Sequence, residues 1–522
     1  MVAGVELTYD TSATAVQMAQ TIFGTGVTVV GATYNGDNDS SAIYSNGDTI
    51  SPNVVPGDTG IILSTGEADR FTSVGSQSNF VSNLTSPSSG PNNDPLFVAA
   101  SGRNTFDASI LEVDFIPDPG VELITMKFVF ASDEYPEFVG SIFNDLFGVW
   151  LDGELVPLSV GDGLVSIGNL NTVGGPNLFN LNTSDQFNTE MDGFTISLSL
   201  IVPVTEGQVN TLRLGITDVG DANFDSNVLI ATDSVQGSLI ASDDNILLRP
   251  GNSQDFDVLA NDINGTGGSL FITHINDVEV QPGDSVTLTT GQTIALNVDG
   301  TLSMVSDIES VDVAFTYEVA STSGETAVGL IIVDTVPCFV SGSLIRTKQG
   351  SVPVERLKPG ELVYTRDDGY QPVRWIGRRE MAAEGKMAPV RIERNSFGEH
   401  GDVLVSPLHR IFIQNSHAEL LYGSNEVLVA ARDLVDGKRV RQIEGGRVEY
   451  VHLMFDRHQV IWSNGLPSES FLPGSQTQNC FEQSALEEIC EIFPELDPIT
   501  GEGYGPAARP ALKRYEARLL VA

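Results

Sequence analysis

From residue 27 onward the chain alternates short apolar runs with polar turns, and the runs have strand length. VTVVGATYN, TGIILSTG, ASILEVDFIP, LITMKFVFAS, LFGVWLDG, FTISLSLIVPV, NTLRLGITDV and SNVLIATDSV follow one another to residue 235, with Gly, Asn, Asp and Pro between them. A short helical spacing over Ala13–Phe23 precedes them. Many short strands with such turns predict a mainly β protein whose first part, residues 1–235, is a β-sandwich or jelly roll. Residues 240–335 continue in the same manner with NILLRPG, QDFDVLAND, SLFITHIN, SVTLTT, TIALNVDGTLSMV, VAFTYEVAS and AVGLIIVDT. That is about seven strands, the count and spacing of an immunoglobulin-like sandwich.

Residues 336–475 remain strand-rich (SLIRTKQG, ELVYTRD, QPVRWIGRRE, APVRIER, VEYVHLMFDRHQVIW) but carry Arg, His and Trp among the apolar positions. Beyond them, EQSALEEICEIFPEL and RPALKRYEARLLV space their apolar residues three and four apart, which predicts a helical C-terminal extension over 476–522. No run approaches 18 apolar residues, so no transmembrane segment is expected.

Charge sharpens the boundary near residue 338. Residues 1–337 hold 5 Lys and Arg against 44 Asp and Glu, and the remainder holds 22 against 25. All three cysteines and five of the six histidines also fall in the second part. An acidic surface of that strength repels phosphate backbones and anionic membranes, which excludes nucleic acid as a partner. A Lys-poor, Cys-free sequence rich in Asp, Asn and Gly suits an exported bacterial protein, extracellular or at the cell surface. The opening residues MVAGVELTYDTSATAVQMAQ lack a basic region and an apolar core, so a Sec signal is not expected; type I secretion fits the composition.

The first thiol, Cys338, stands on this boundary. From the residues alone it has four readings: a buried inert thiol, a disulfide partner of Cys480 or Cys490, a metal ligand, or a nucleophile activated by a histidine. The blocks PCFVSGSLIRTKQGSVPVERLKPGELVYTRDDGYQPVRWIG, VSPLHRIF and DRHQVIWSNGLPSESFLPG, in that order, resemble the Hint module of hedgehog-type autoprocessing domains and inteins. The resemblance implies an all-β horseshoe fold over 336–475 that cleaves its own N-terminal junction without a cofactor. Cys338 would attack the Pro337 carbonyl in an N-to-S acyl shift, and His409 would protonate the departing nitrogen. Ser406, where the family usually has threonine, would hold the scissile bond. His458 and Asp456 would assist thioester breakdown by an external nucleophile (water, an amine or an alcohol). Splicing is not expected, because GLPSESFLPGSQTQNC lacks the His-Asn-nucleophile ending.

In the first part, FASDEYPEFVGSIFNDLFGVWLDG and ITDVGDANFDSNVLI resemble the choice-of-anchor L domain of bacterial surface proteins. The resemblance supplies no activity; its ligand would be a surface, glycan or protein. Glu134, Asp145, Asp218, Asp221 and Asp225 place carboxylates near strand ends, where hard oxygen ligands suit Ca²⁺. DDNILLRPGNSQDFDVLANDING resembles cadherin-like domains of bacterial adhesins, with Asp243, Asp257, Asn261 and Asp262 as candidate calcium ligands. The functional expectation is release or transfer of the acidic domains by self-cleavage at Pro337–Cys338. Its rival is an adhesin or matrix protein with an inactive Hint-like spacer.

Overall fold

The computed structural model describes the 522-residue chain except residues 1, 82, 161–162, 248–252, 306–312, 335–337, 384–387, 423, 473–488, 490–491, 494–503, 513–516 and 518–522. Pro337, Cys480 and Cys490 therefore lie outside the described residues. The chain divides into two compact units. One comprises Met1–Asp244, Asp255–Met304 and Ala314–Ile332; the other comprises Asn245–Gln254, Val305–Val313 and Val333–Ala522.

The first unit opens with helix Ala15–Ile22. Thr14 Oγ1 accepts the Gln17 N–H, and the Gln17 side chain accepts the Thr14 N–H in return, a reciprocal cap that satisfies two otherwise orphaned donors. Met18, Ala19 and Ile22 turn inward onto a sandwich. Gly60–Ser64, Ser226–Ala231 and Leu123–Ser132 run side by side in one sheet, and Val27–Asn35, Thr105–Pro117, Asn210–Val219 and Leu146–Leu151 in the other. Alternate residues meet between the sheets: Ile61, Leu63, Ile124, Met126, Phe128, Phe130, Val228 and Ile230 from one, Leu111, Val113, Phe115, Val149, Leu212, Leu214 and Ile216 from the other. Each such side chain contributes about 1.5–3 kcal/mol by leaving water.

The immunoglobulin-like strands belong largely to the same unit. Val313–Ser321 pairs with Leu270–Ile275, from Leu270 opposite Ser321 to Ile275 opposite Tyr317. Leu330 joins the apolar core of the first sandwich, and Asp277 accepts the Ser197 N–H at 2.7 Å. Lys127, the one lysine of residues 1–337, pairs with Glu318.

The second unit is built on two sheets. One runs in the order Trp375–Ala382, Arg447–Met454, Phe339–Val340, Val403–Val405, Val390–Ile392, Val440–Gln442. The other includes Leu344–Thr347, Leu362–Thr365, Val460–Ser463, Leu466–Glu469, Arg410–Gln414 and Glu426–Ala430 as successive neighbours. Phe339, Val405, Val451 and Leu453 from the first close on Ile345, Val363, Ile411, Val429 and Ile461 from the second. Most of the expected helical extension lies outside the described residues. Tyr504–Leu512, which is described, carries no helix and bridges Ala511 to Leu428 in parallel.

Candidate functional site

Strand Phe339–Val340 lies between Val403–Val405 and Arg447–Met454 and is antiparallel to both. Phe339 stands opposite Val405 on one side and Val451 on the other. Carried back by one residue, the same register sets Cys338 opposite Ser406 and His452. Directly opposed residues in antiparallel pairs bring their side chains together. The contacts follow that register. The Cys338 N–H donates to Ser406 Oγ at 2.7 Å, the Ser406 N–H donates to the Cys338 carbonyl at 2.9 Å, and Cys338 Sγ stands 3.3 Å from His452 Nε2.

Cys338 is a buried thiol outside any disulfide, beside Val448 and Tyr450, with the His452 ring packed against Phe471. Burial pushes the Tyr450 phenol far above its ordinary range, and a charge on Cys338 adds to the shift, so Tyr450 stays neutral beside the thiol. An imidazole nitrogen at this distance is the group placed to take the thiol proton.

His409 closes a turn, its N–H donating to the Ser406 carbonyl at 3.1 Å. Its ring is buried edge-on to Phe339, with centroids 4.3 Å apart, and among the described residues neither ring nitrogen has a hydrogen-bond partner. Burial lowers its pKa to about 4, Glu469 opposes the shift, and the resting ring is neutral. His458 is buried beside Glu469. Its Nδ1 accepts the Ala508 N–H at 3.0 Å, so Nε2 carries the proton and faces the Ser470 carbonyl at 3.1 Å and Glu469 Oε2 at 3.4 Å. Asp456 is exposed, with its carboxylate 3.3 Å from Arg374 Nη1. The structure thus joins Cys338 to Ser406 directly, attaches His409 through a turn, and puts His458 with Glu469 and Asp456 with Arg374.

The histidine in contact with the thiol, His452, was not singled out in the sequence. Strand alternation sets Val448, Tyr450, His452 and Met454 on one face of Arg447–Met454. Nothing in that alternation pairs the strand with a cysteine 114 residues earlier.

In the first unit, Glu134, Asp145, Asp218 and Asp225 are buried and Asp221 is half-buried. Asp145 accepts the Val219 N–H and the Ser226 hydroxyl, both at 2.8 Å, and Asp225 accepts the Ser86 N–H at 2.9 Å. Burial, reinforced by the neighbouring carboxylates, raises the pKa of Glu134 and Asp218 well above the carboxylate range. Among the described residues no three His, Cys, Asp or Glu side chains form a group that fits a metal ion. In the immunoglobulin-like part, Asp262 accepts the Tyr317 hydroxyl and the Ser242 N–H, both at 2.8 Å. Asp257 accepts the Leu259 N–H at 3.1 Å, and the Asn261 amide donates to the Asp243 carbonyl at 3.3 Å.

Two family matches, and not the fold alone, point to a surface protein that carries a Hint domain. Residues 337–475 match the Hint domain family, and residues 7–236 match the choice-of-anchor L domain family. No curated protein matches the chain. Among solved structures, the gp41-1 intein is similar to the chain at 10% identity, with 25% of this chain and 97% of the intein covered and a TM-score of 0.18. The M60 catalytic domain with the CBM51-1 and CBM51-2 domains from Clostridium perfringens ZmpB gives 11% identity over 70% of this chain and 34% of that chain, with a TM-score of 0.13. Among the described residues no helix is long and apolar enough to cross a membrane.

Proposed function

We propose that the protein is a bacterial surface or secreted protein that cuts its own chain between Pro337 and Cys338 in a single turnover. The observation that carries the reading is Cys338 itself. Its thiol faces His452 at 3.3 Å, while its own amide, the nitrogen that must leave, donates to Ser406 at 2.7 Å.

The steps balance without a cofactor. His452 Nε2 takes the Cys338 thiol proton, and Sγ attacks the Pro337 carbonyl carbon. A C–S bond forms, the C–N bond breaks, and a proton is delivered to the Cys338 nitrogen, leaving a thioester and a free amine. His409, neutral at rest and next to the Ser406 turn, serves as a shuttle for that proton rather than a reservoir. Water, or another external nucleophile, then attacks the thioester carbonyl. The C–S bond breaks, the thiol regains its proton, and Pro337 becomes a C-terminus. The acidic sandwiches leave as one fragment, exported by a route such as type I secretion.

The test is electrophoresis of purified full-length protein with and without dithiothreitol, beside Cys338→Ala. Wild type is expected to give a fragment ending at Pro337 and one beginning at Cys338, hastened by thiol, while the variant stays whole. Wild type that remains whole after prolonged thiol treatment overturns the reading and leaves the domain as a spacer.

A further inference from the structure

The Hint match ends at residue 475, yet the described segment Tyr504–Leu512 stays bonded to the domain. The Tyr504 hydroxyl donates to the Phe455 carbonyl at 2.7 Å, and the Ala508 N–H donates to His458 Nδ1 at 3.0 Å. Arg509 pairs with Asp367 at 2.7 Å and Glu426 at 2.6 Å, the Leu428 N–H donates to the Pro510 carbonyl at 2.8 Å, and the Leu512 N–H donates to the Leu428 carbonyl at 2.9 Å. Through His458 the segment is linked to a buried carboxylate that the cleavage steps do not use.

That carboxylate is Glu469, at the end of the hairpin formed by Val460–Ser463 and Leu466–Glu469. It is 1% exposed. Its Oε1 accepts the Arg410 N–H at 2.9 Å, and its Oε2 meets Arg410 Nη1 at 3.2 Å and His458 Nε2 at 3.4 Å. The Arg410 N–H belongs to the peptide that follows His409, so Glu469 grips the backbone carrying that ring. We propose that Glu469 is a positioning residue of the cleavage site, acting through His409, and that the segment Tyr504–Leu512 holds it in place through His458. The proposal rests on the autoprocessing reading.

Besides burial, the groups that act on the His409 ring are Glu469, which favours its protonation, and Arg410 and His458, which oppose it. A proton arriving on His409 during cleavage creates a buried cation beside Arg410, and Glu469 is the carboxylate that offsets it. Burial alone would raise the Glu469 pKa; Arg410, His458 and His409 together outweigh it and hold the carboxyl at about 2, so its negative charge is present throughout the neutral range. The His458 ring links this carboxylate to the chain's end. With Nδ1 taken by the Ala508 N–H, Nε2–H faces the Ser470 carbonyl and Glu469.

The experiment uses the full chain in two backgrounds. In the cleaving background, Glu469→Gln is expected to slow cleavage about tenfold at pH 7 and to move the limb that reports His409 about one pH unit toward acid, since losing a neighbouring negative charge disfavours the imidazolium. Glu469→Asp keeps the charge and is expected to return the limb. A Glu469→Gln chain with the wild-type rate and pH profile overturns the proposal, as does a limb that moves equally in both variants.

In the Cys338→Ala background, nitrogen NMR of the histidines reads the His458 tautomer and folding without cleavage. Ala508→Pro removes the N–H that His458 accepts and is expected to change that signature; an unchanged signature overturns the role of the segment. If wild type itself never cleaves, the autoprocessing reading has failed, and the NMR arm still decides whether the C-terminal segment locks His458.

Discussion

At the scale of single residues, one thiol is set between two cross-strand neighbours of different chemistry. His452 at 3.3 Å from Sγ handles the thiol proton, and Ser406 at 2.7 Å from the amide handles the leaving nitrogen. Replacing His452 by Ala is expected to lower the cleavage rate about 10²-fold or more, the usual yield of a positioned proton acceptor, with an unchanged circular dichroism spectrum. Ser406→Thr retains the hydroxyl and keeps activity. Ser406→Ala leaves the buried Cys338 N–H without its acceptor and costs about 1–3 kcal/mol of stability by denaturant titration, along with slow cleavage. Pro337 lies outside the described residues, but its ring stands next to the carbonyl under attack. Pro337→Ala removes that crowding, and its time course on a gel is expected to run faster than wild type. Cys338, Ser406 and His409 were readable from the order of the sequence blocks. His452 was not, because a histidine in an alternating strand reads the same whether it faces a thiol or another apolar patch.

At the scale of elements, three strands and one hairpin carry the site. Phe339–Val340 holds only two residues, so its place depends on the strands at either side. The hairpin's register is fixed by Asn464 and Gly465, whose φ values of 49° and 90° give the two-residue turn that matches strand twist. A Cβ on Gly465 would lie 3.3 Å from the His400 Cα. Gly465→Ala is expected to cost about 1 kcal/mol or more in a denaturant titration and to slow cleavage through Glu469, which ends the hairpin. Turn residues of this kind are legible in sequence. The partner strand across which Glu469 reaches Arg410 is not, since the two are 59 residues apart.

At the scale of the molecule, several buried groups of the two units titrate in opposite senses, although Glu318 of the first unit is held at about 2, against burial, by His274 and Lys127. In the first, burial raises Asp133 to about 8 and Asp225 to about 6. A carboxyl whose folded pKa exceeds the unfolded value of about 4 adds stability that is full below that value and is lost as pH rises through the folded pKa. In the second, His409 falls to about 4 by burial and Glu469 to about 2 beside Arg410. Their contributions are present above the unfolded values of about 6.5 and about 4.3 and are lost as pH falls through the folded ones. Calorimetry of the Cys338→Ala chain is therefore expected to show one transition dropping as pH is raised from about 5 to about 9, and another dropping as pH is lowered from about 7 to about 3. Two transitions moving together would contradict this. Calcium added at the alkaline end tests the first sequence expectation directly: a binding cation would raise the first unit's transition by mass action, and an unmoved transition removes it.

The sequence by itself determined what is local: the strand periodicity, the turns, the change of charge at residue 338, and the cysteine and S-x-x-H spacing that mark a Hint module. It settled the mainly β fold class because alternation and turn chemistry act within a few residues. Only the tertiary structure decided which histidine meets the thiol, that His458 is held by Ala508 and Glu469, and that Asp456 faces Arg374. These are outcomes of strand register between segments tens to more than a hundred residues apart. Register comes from the burial of whole faces, and the pattern of any one strand does not encode its neighbour.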